Sequence, residues 1–354
     1  MPGVTRRQFG TLAMLASLGL MSDDIMTPLW AAPPPQGQGY TEREEIVAFL
    51  KKVSQERHIP YAWLEDEVAL ARYSPLAERY STPKPKKGPA TTPERNFRLY
   101  QRNMVNSERI DKGVAFLTKH EALFADIEAK TGVSRYAITA IIGVETIYGK
   151  NMGRFRVLDV LVTLAFDYTR RADFYKKELA EFLEFCYRDK LPTVSVTGSY
   201  AGAVGYGQFM PSSLNQWGTD GDGDGLIDII HNEADGIASV ATYLKAHHWK
   251  PGLKPLYPVQ QKLNGRALAP STGIRPHYTV QALLESGLEP VGLLDLPLEE
   301  EVLLVDLPWA DPGDEIEHRL YLGTQNFSAF LYYNRSYFYA AAVSLLAQAI
   351  EEQL

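Results

Sequence analysis

Residues 137–149 read Ala-Ile-Thr-Ala-Ile-Ile-Gly-Val-Glu-Thr-Ile-Tyr-Gly, an apolar run that carries a single carboxylate near its end. The apolar residues recur at helical spacing, so the run predicts a buried helix that leads to Glu145. A glutamate beside Ile141, Ile142 and Tyr148 would lose hydration, which favours the protonated carboxyl and lets it donate a proton near neutral pH. The plainer alternative is an exposed or ion-paired glutamate at a helix end, which is common for this residue type.

A second run, residues 199–211, combines small residues with aromatic side chains and one amide. Its glycines would let a ligand approach the backbone closely. Ser199 and Gln208 offer hydrogen bonds to such a ligand. Apolar platforms for sugar faces would come from Tyr206, Phe209 and Met210. The alternative is a tight turn that only packs helices together.

The composition excludes several classes of protein. Of the 354 residues, 45% are hydrophobic and 22% are charged, which excludes a disordered, collagenous or coiled-coil chain. With 36 basic and 43 acidic residues the net charge is −7, so the chain lacks the positive field that nucleic-acid binding requires. The single cysteine, Cys186, excludes an intramolecular disulfide and fits a small buried apolar residue.

The pattern along the chain predicts a mainly α fold (α+β) with a small β-containing insertion. Helical periodicity dominates residues 97–191, whereas prolines and the turn pair Asn264-Gly265 mark the insertion. Val302–Val305 predict a buried strand, and Thr41–Glu44 predict a capping box at a helix start. The predicted segments are a linker at 33–40, an α domain at 41–130 with a Pro-rich crossing at 82–89, a core at 131–250, the insertion at 251–325, and closing helices at 326–354.

The first 32 residues predict an export signal. Arg6 and Arg7 precede an apolar run from Phe9 to Met21 that is too short to cross the ~30 Å hydrocarbon core. Paired arginines followed by phenylalanine favour the twin-arginine route. No cysteine follows the run for lipid attachment, so we expect an exported, periplasmic protein without a stable membrane anchor. The alternatives are a permanent membrane anchor and a chance pair of arginines.

Residues 220–228 match the start of an EF-hand loop, with acids at alternate positions and glycine at the sixth. Three carboxylates that close would repel one another without a divalent cation, so the pattern predicts a structural Ca²⁺ site. His231 stands where an EF-hand has its closing glutamate, so Asp235, or else Glu233, would close a longer loop. The predicted ligands are Asp220, Asp222, Asp224, the Leu226 carbonyl and Asp235. A solvated Asp/Gly turn is the alternative.

Four sequence blocks together resemble the lytic murein transglycosylase B family. They are Gly143-Val144-Glu145-Thr146, Arg170-Arg171-Ala172, the run from Gly202 to Ser213, and Tyr333-Asn334-Arg335-Ser336. Their order and spacing match over residues 95–350. The resemblance implies a goose-lysozyme-like helical core with an α domain, a β-containing domain and an EF-hand-like calcium loop. The chain departs from the family in lacking the lipid-attachment cysteine of its membrane-bound form and in having Tyr148 where a different aromatic is expected.

The resemblance also implies an activity and a set of site residues. The implied reaction cleaves the MurNAc–GlcNAc β-1,4 bond of peptidoglycan without water, with Glu145 as the sole acid and then base and no organic cofactor. Arg170 and Arg171 would meet the peptide stem or its carboxylates, although either could instead pair with Asp167 or Asp173. The glycan strand would be lined by Tyr100, Ser199, Gln208, Tyr243, Tyr333 and Asn334.

Two other functions stay open at this point. A hydrolase of the same fold would use water in place of the sugar's C6 hydroxyl. An inert peptidoglycan-binding protein would use the same groove without chemistry. The expected partners are glycan strands, with other cell-wall enzymes left open and nucleic acid excluded.

Overall fold

The computed structural model describes residues 39–83, 96–262, 268–311 and 314–354. In chain order its elements are α1 (Glu44–Arg57), α2 (Tyr61–Ala69), α3 (Pro75–Ser81), α4 (Phe97–Met104), α5 (Ser107–Lys119), α6 (Glu121–Thr131), α7 (Arg135–Thr146), β1 (Phe155–Arg156), α8 (Val157–Phe166), α9 (Ala172–Arg188), β2 (Thr197–Gly198), α10 (Pro211–Trp217), α11 (Glu233–Ala246), β3 (Leu256–Gln261), β4 (Tyr278–Thr279), α12 (Val280–Glu285), β5 (Leu288–Pro290), β6 (Glu301–Trp309), β7 (Glu317–Gly323), α13 (Gln325–Tyr333) and α14 (Tyr337–Gln353). The predicted mainly α fold with a small β insertion is confirmed.

The described residues group into two compact units. The helical unit contains residues 39–83 and 145–242, and the sheet unit contains residues 96–144 and 243–354. The division falls inside α7, after Val144, and inside α11, after Thr242. The segment boundaries that the sequence suggests at 130, 250 and 325 stay predictions.

The helical unit is organised around α8 and α9, which pack on each other. Every residue of α8 is buried except Asp159 and Phe166, as expected for a helix that is apolar on nearly all sides. Arg57 of α1 donates to Glu181 of α9 at 2.6 Å and also pairs with Glu184. These ion pairs join the first helix of the unit to its longest one.

The predicted capping box at Thr41–Glu44 is wrong. Residues Tyr40–Glu42 form a 3₁₀ turn, and α1 begins at Glu44 with no side-chain cap. The cause is a distant partner: Arg43 Nη1 and the Tyr40 hydroxyl each donate to the Asp167 carboxylate at 2.6 Å. These bonds fix the backbone before the helix, so the Thr41 hydroxyl does not cap it.

The sheet unit contains a five-stranded antiparallel sheet in the order β4-β6-β7-β3-β5. The predicted buried strand at Val302–Val305 is confirmed as part of β6. Val302 and Leu304 pack into the small apolar core of the insertion, whereas Leu303 and Val305 are buried outside that cluster. A strand buried on both faces gives a continuous apolar run, which is the pattern of β6.

The helices of the sheet unit pack around α14, which contacts α4, α5 and α13 as well as β6. Its alanines at Ala340–Ala342 are fully buried and allow the neighbouring helices to approach closely. The unit therefore combines a helical layer with the sheet.

Several predictions concern residues outside the described part of the chain. These are the export signal at 1–32, most of the linker, the Pro-rich crossing from 84 to 89, and the Asn264-Gly265 turn. Within the described ranges no helix has both the length and the apolarity to cross a membrane. Cys186 is buried as predicted, and burial raises the pKa of its thiol.

Candidate active site

Glu145 lies in the last turn of α7, and only 8% of it is exposed. The helix forms because its apolar residues recur at helical spacing, and it ends where three consecutive residues turn left-handed. Ile147 has φ 52°, Tyr148 has φ 57° and Gly149 has φ 85°. A β-branched residue at positive φ is strained by about 1–3 kcal/mol. The strained turn directly after a buried carboxylate is typical of a functional site.

Thr146 fixes this turn to the Gly-rich run. Its Oγ1 donates to the Tyr206 carbonyl at 3.0 Å and accepts from the Gly149 amide at 3.1 Å. The Thr146 carbonyl accepts from the Asn151 amide at 2.8 Å. The residue after Glu145 is therefore held on both its side chain and its backbone.

Ser199 and Gln208 lie in the Gly-rich run of the helical unit and are both buried. Ser199 Oγ accepts from the amides of Ala201 and Ala203 at 3.3 and 3.0 Å, which closes a tight turn. Gln208 Nε2 donates to the carbonyls of Met152 and Gly205 at 3.2 and 3.1 Å. The tight turn that the sequence offered as the alternative is thus present, and it holds the two polar side chains in place.

The three apolar residues of the run differ in exposure. Tyr206 and Phe209 are 8% and 3% exposed, whereas Met210 is half-buried. A Cβ on Gly149 would lie 2.5 Å from the Tyr206 ring, and one on Gly236 would lie 2.9 Å from its Cβ. The Tyr206 side chain therefore packs closely against two positions that only glycine fits, an arrangement called here the glycine clamp on Tyr206. Contact of Tyr206, Phe209 and Met210 with a sugar stays a prediction.

Arg170 and Arg171 are exposed between α8 and α9. The Arg171 guanidinium lies 4.0 Å from the centre of the Phe174 ring. Asp167 is engaged by Arg43 and Tyr40, and within the described residues neither arginine makes an ion pair with Asp167 or Asp173. The alternative that these arginines serve structural ion pairs therefore receives no support in this part of the chain.

In the sheet unit, Tyr243 and Tyr333 lie in edge-to-face contact with ring centres 4.7 Å apart. The Tyr243 hydroxyl donates to the Tyr332 carbonyl at 2.8 Å, and burial raises the pKa of Tyr243. Asn334 follows as the C-cap of α13. The His247 ring stacks on Tyr243 at 4.1 Å. No sequence pattern singles out His247.

Tyr100, on α4, lies in an aromatic cluster of the sheet unit. Its ring centre is 6.4 Å from that of Phe97 and 5.9 Å from that of Phe338. The cluster fixes the ring by packing, since aromatic pairs at these separations attract each other.

Arg109 is a second residue that no sequence pattern singles out. It lies on α5, is 6% exposed, and donates through Nε to the Gly143 carbonyl at 3.2 Å and through Nη1 to the Asn103 carbonyl at 2.6 Å. Gly143 is in the last turn of α7, where helix carbonyls lack intrahelical donors. A cation at this end of a helix stabilises it.

Three carboxylates converge in the EF-hand-like loop of the helical unit. Oxygens of Asp220, Asp222 and Asp235 all lie within 4.8 Å of one another. Asp235 is fully buried and accepts from the amides of Gly221 and Asp228 at 2.8 and 2.6 Å. Burial first, and then the carboxylates of Asp222 and Asp220, raise the pKa of Asp235.

Two other predicted ligand positions differ from these three. Asp224 is not part of the convergent group, and its Oδ1 accepts from the Leu226 amide at 2.8 Å. Glu233, the alternative to Asp235, is also outside the group and interacts with the Tyr206 hydroxyl, where it adds to the effect of burial in raising the pKa of Tyr206. Three oxygen donors in a tight loop fit a hard cation such as Ca²⁺.

The other buried acids of the helical unit are engaged in structural bonds. Glu178 accepts from the amide and hydroxyl of Ser212 at 2.9 and 2.8 Å. Glu181 pairs with Arg57 and accepts from the side-chain amide of Asn215. Asp235 belongs to the loop. Glu145 differs from these three in its position, since it lies two residues before the left-handed turn that begins at Ile147.

A buried glutamate at the end of an apolar helix, joined to a glycine-rich run in a mainly helical fold, agrees with an enzyme of the lysozyme-like glycan-cleaving class. Residues 41–348 match the family model described as transglycosylase SLT domain, and the chain belongs to this family. This confirms the resemblance found in the sequence.

Individual relatives support the same assignment. The chain is 35% identical over 262 residues to the membrane-bound lytic murein transglycosylase B of Escherichia coli (strain K12), covering 74% of this chain and 69% of that protein. It is similar to the structure of the Escherichia coli lytic transglycosylase Slt35 in complex with calcium, with 30% identity, a TM-score of 0.76, and coverage of 90% and 96%. It is also similar to Pseudomonas aeruginosa SltB3 in complex with NAG-anhNAM-pentapeptide, with 27% identity, a TM-score of 0.73, and coverage of 89% and 80%.

Proposed function

We propose that this protein, a lytic transglycosylase of peptidoglycan, cleaves the MurNAc–GlcNAc β-1,4 bond with Glu145 as its acid and then its base. The observation that carries the proposal is the burial of Glu145 at the strained end of α7. A carboxyl removed from water holds its proton more readily, so it can protonate a leaving oxygen near neutral pH. The related SltB3 complex, which contains an anhydro sugar, agrees with such a reaction.

The reaction balances without water. The Glu145 carboxyl gives its proton to the glycosidic oxygen, the C1–O bond breaks, and GlcNAc leaves with a free C4 hydroxyl. The N-acetyl carbonyl of MurNAc stabilises the positive charge at C1, as in substrate-assisted glycosidases. The Glu145 carboxylate then takes the proton of the C6 hydroxyl, whose oxygen bonds to C1 and closes the 1,6-anhydro ring. The enzyme regains its starting protonation state.

A single carboxylate is sufficient for this route, and the bonds made by the other buried glutamates of the helical unit support it. Glu178 and Glu181 hold α10 to α9 through Ser212 and Asn215, so neither is available to activate water. Inverting and retaining glycosidases that use two carboxylates need a second carboxylate positioned at the sugar.

The remaining site residues bind and orient the glycan in this proposal. Ser199 and Gln208 hydrogen-bond the sugar from a turn that internal bonds already hold, which reduces the entropy lost on binding. Arg170 and Arg171 bind the carboxylates of the peptide stem, for which the guanidinium geometry is suited. From the sheet unit, the glycan-lining residues are Tyr100, Tyr243, Tyr333 and Asn334. In the helical unit, the apolar contact with the sugar faces comes from Tyr206, Phe209 and Met210.

A calcium ion would be held by Asp220, Asp222 and Asp235, with Asp224 and the Leu226 carbonyl completing the set. The convergence of three carboxylates supports this, because their mutual repulsion needs a cation to offset it. The loop leads to Ile229, whose carbonyl accepts from the Tyr206 amide at 3.1 Å. The ion therefore has a structural role: it stabilises the loop that supports the Gly-rich run.

We place the enzyme in the periplasm, where its substrate is, and assign its export to the twin-arginine motif at Arg6 and Arg7.

The test of the Glu145 assignment is a substitution with a matched control. Glu145→Gln keeps the shape of the side chain and removes the transferable proton, so turnover of purified sacculi should fall by about 10²–10⁴-fold. Glu178→Gln changes another buried glutamate of the same unit and should retain turnover. A folded Glu145→Gln enzyme with near wild-type release of muropeptides would refute the assignment.

A further inference from the structure

The sheet unit contains a polar groove that takes no part in the proposed chemistry. Its volume is about 470 Å³, and its walls carry both signs of charge. The lining residues used below are Lys250, Arg275, Glu299, Glu300, Glu301 and Tyr332. None of them is among the residues that the proposed function uses.

One wall is a loop whose backbone is fixed at three consecutive carbonyls. The Gly273 carbonyl accepts from the Tyr337 hydroxyl at 2.6 Å, and the Ile274 carbonyl accepts from the Ser328 hydroxyl. The Arg275 carbonyl lies 3.1 Å from His277 Nδ1. Arg275 thus projects from a rigid backbone, and a ligand that binds it meets a preorganised site.

The opposite charges stand at the start of β6 and before it. Glu300 pairs with Lys250 at 2.7 Å, and Lys250 is itself held through its amide by the buried Asn326 at 2.7 Å. Within the described ranges, Arg275, Glu299 and Glu301 make no ion pair. The groove therefore offers an uncompensated guanidinium and two uncompensated carboxylates.

This charge pattern fits a short peptide that carries both a carboxylate and an amino group. A guanidinium binds a carboxylate with two parallel hydrogen bonds, and a carboxylate pair is suited to an ammonium. Tyr332 adds an aromatic residue to the lining of the groove.

The groove is linked to the proposed glycan-lining residues within the sheet unit. Tyr332 adjoins Tyr333 on α13, its carbonyl accepts from the Tyr243 hydroxyl, and its ring centre lies 5.0 Å from that of His247. We propose that the groove binds a peptide stem of the glycan strand, with Arg275 on a stem carboxylate and Glu299 and Glu301 on a stem amino group. This inference rests on the proposed function.

The first test compares two substrates: peptide-bearing glycan strands and strands from which an amidase has removed the peptides. The ratio of the two rates at low substrate concentration measures preference for the stem. Arg275→Ala should lower this ratio by about tenfold, because one charge-assisted contact is lost. Lys262→Ala removes a positive charge of the same unit outside the groove and should leave both rates and their ratio unchanged.

The second test titrates the wild-type protein with a soluble stem tetrapeptide that has a free carboxylate and a free side-chain amine, followed by NMR. Chemical-shift changes at groove residues would support the proposal if the affinity that they report is about tenfold weaker in Arg275→Ala. If the groove does not bind stems, the tetrapeptide causes no such shifts and Arg275→Ala keeps the wild-type ratio. If instead the proposed activity is wrong, the wild-type protein releases from either substrate no product or only products without anhydro ends, while the titration still reports on the groove.

Discussion

The hydroxyl of Thr146 donates to the carbonyl of Tyr206 at 3.0 Å and joins the end of α7 to the Gly-rich run. The two residues are 60 positions apart in the sequence, and both are buried. Because Thr146 directly follows Glu145, this bond fixes the helix turn that carries the proposed acid.

Thr146→Val keeps the shape of the side chain but removes its hydroxyl, and we therefore expect it to lower activity. The substitution leaves the Tyr206 carbonyl without this donor, which should cost about 1–3 kcal/mol of unfolding free energy. Misplacement of the turn should reduce turnover on the order of tenfold to a hundredfold. Denaturant unfolding and a sacculus-release assay measure the two effects. Thr146→Ser keeps the hydroxyl and should stay near the wild type, whereas an unaffected Thr146→Val enzyme would remove this bond from the account.

Gly149→Ala should destabilise the protein for two reasons. Its φ of 85° strains any L side chain by about 1–2 kcal/mol, and its Cβ would lie 2.5 Å from the Tyr206 ring. Gly292→Ala is the matched control, since Gly292 has φ 94° but nothing within 4 Å of its Cβ. Thermal unfolding should show a larger loss for Gly149→Ala, and equal losses would contradict the proposed clamp on Tyr206.

Chelation should lower the melting temperature of the protein as purified. A ligand that binds only the native state stabilises it by about 2.7 kcal/mol at a hundred times its Kd. Asp235→Asn should abolish the difference between samples with calcium and samples with chelator. Asp126→Asn, which changes an exposed acid of α6, should preserve it. If the wild-type melting temperature is the same with calcium and with chelator, the ion is excluded.

The pH dependence of stability should include a contribution from His247. Burial lowers the pKa of His247 below its ordinary 6.5, so the native state binds fewer protons than the unfolded state between the two values. Stability therefore rises with pH through that window and is lost as pH falls through the folded pKa. An NMR titration of the His247 ring should give a midpoint below 6.5, and His247→Gln should flatten the stability profile there. A midpoint above 6.5 would contradict this assignment.

The helix that carries Glu145 and the acidic loop at Asp220 were predictable because their signals are local. The apolar spacing before Glu145 and the alternating acids from Asp220 each lie within a dozen residues of sequence, and periodicity makes them visible. The strand at Val302–Val305 was visible for the same reason, since burial on both faces leaves an unbroken apolar run.

The features that sequence did not predict depend on distant partners. Arg109 looks like any helix-surface arginine until α5 places it against the Gly143 carbonyl, 34 residues away. The capping box failed because Arg43 and Tyr40 bind Asp167, more than 120 residues further along. No local pattern records such contacts.

The most direct measurement is the mass of the muropeptides that the purified protein releases from sacculi. Ring closure by the C6 hydroxyl gives products with anhydro ends, which are lighter by one water than those of a hydrolase. We expect anhydro ends that vanish in Glu145→Gln. Products with reducing ends would contradict the proposed transglycosylase reaction and would assign the protein to the hydrolases.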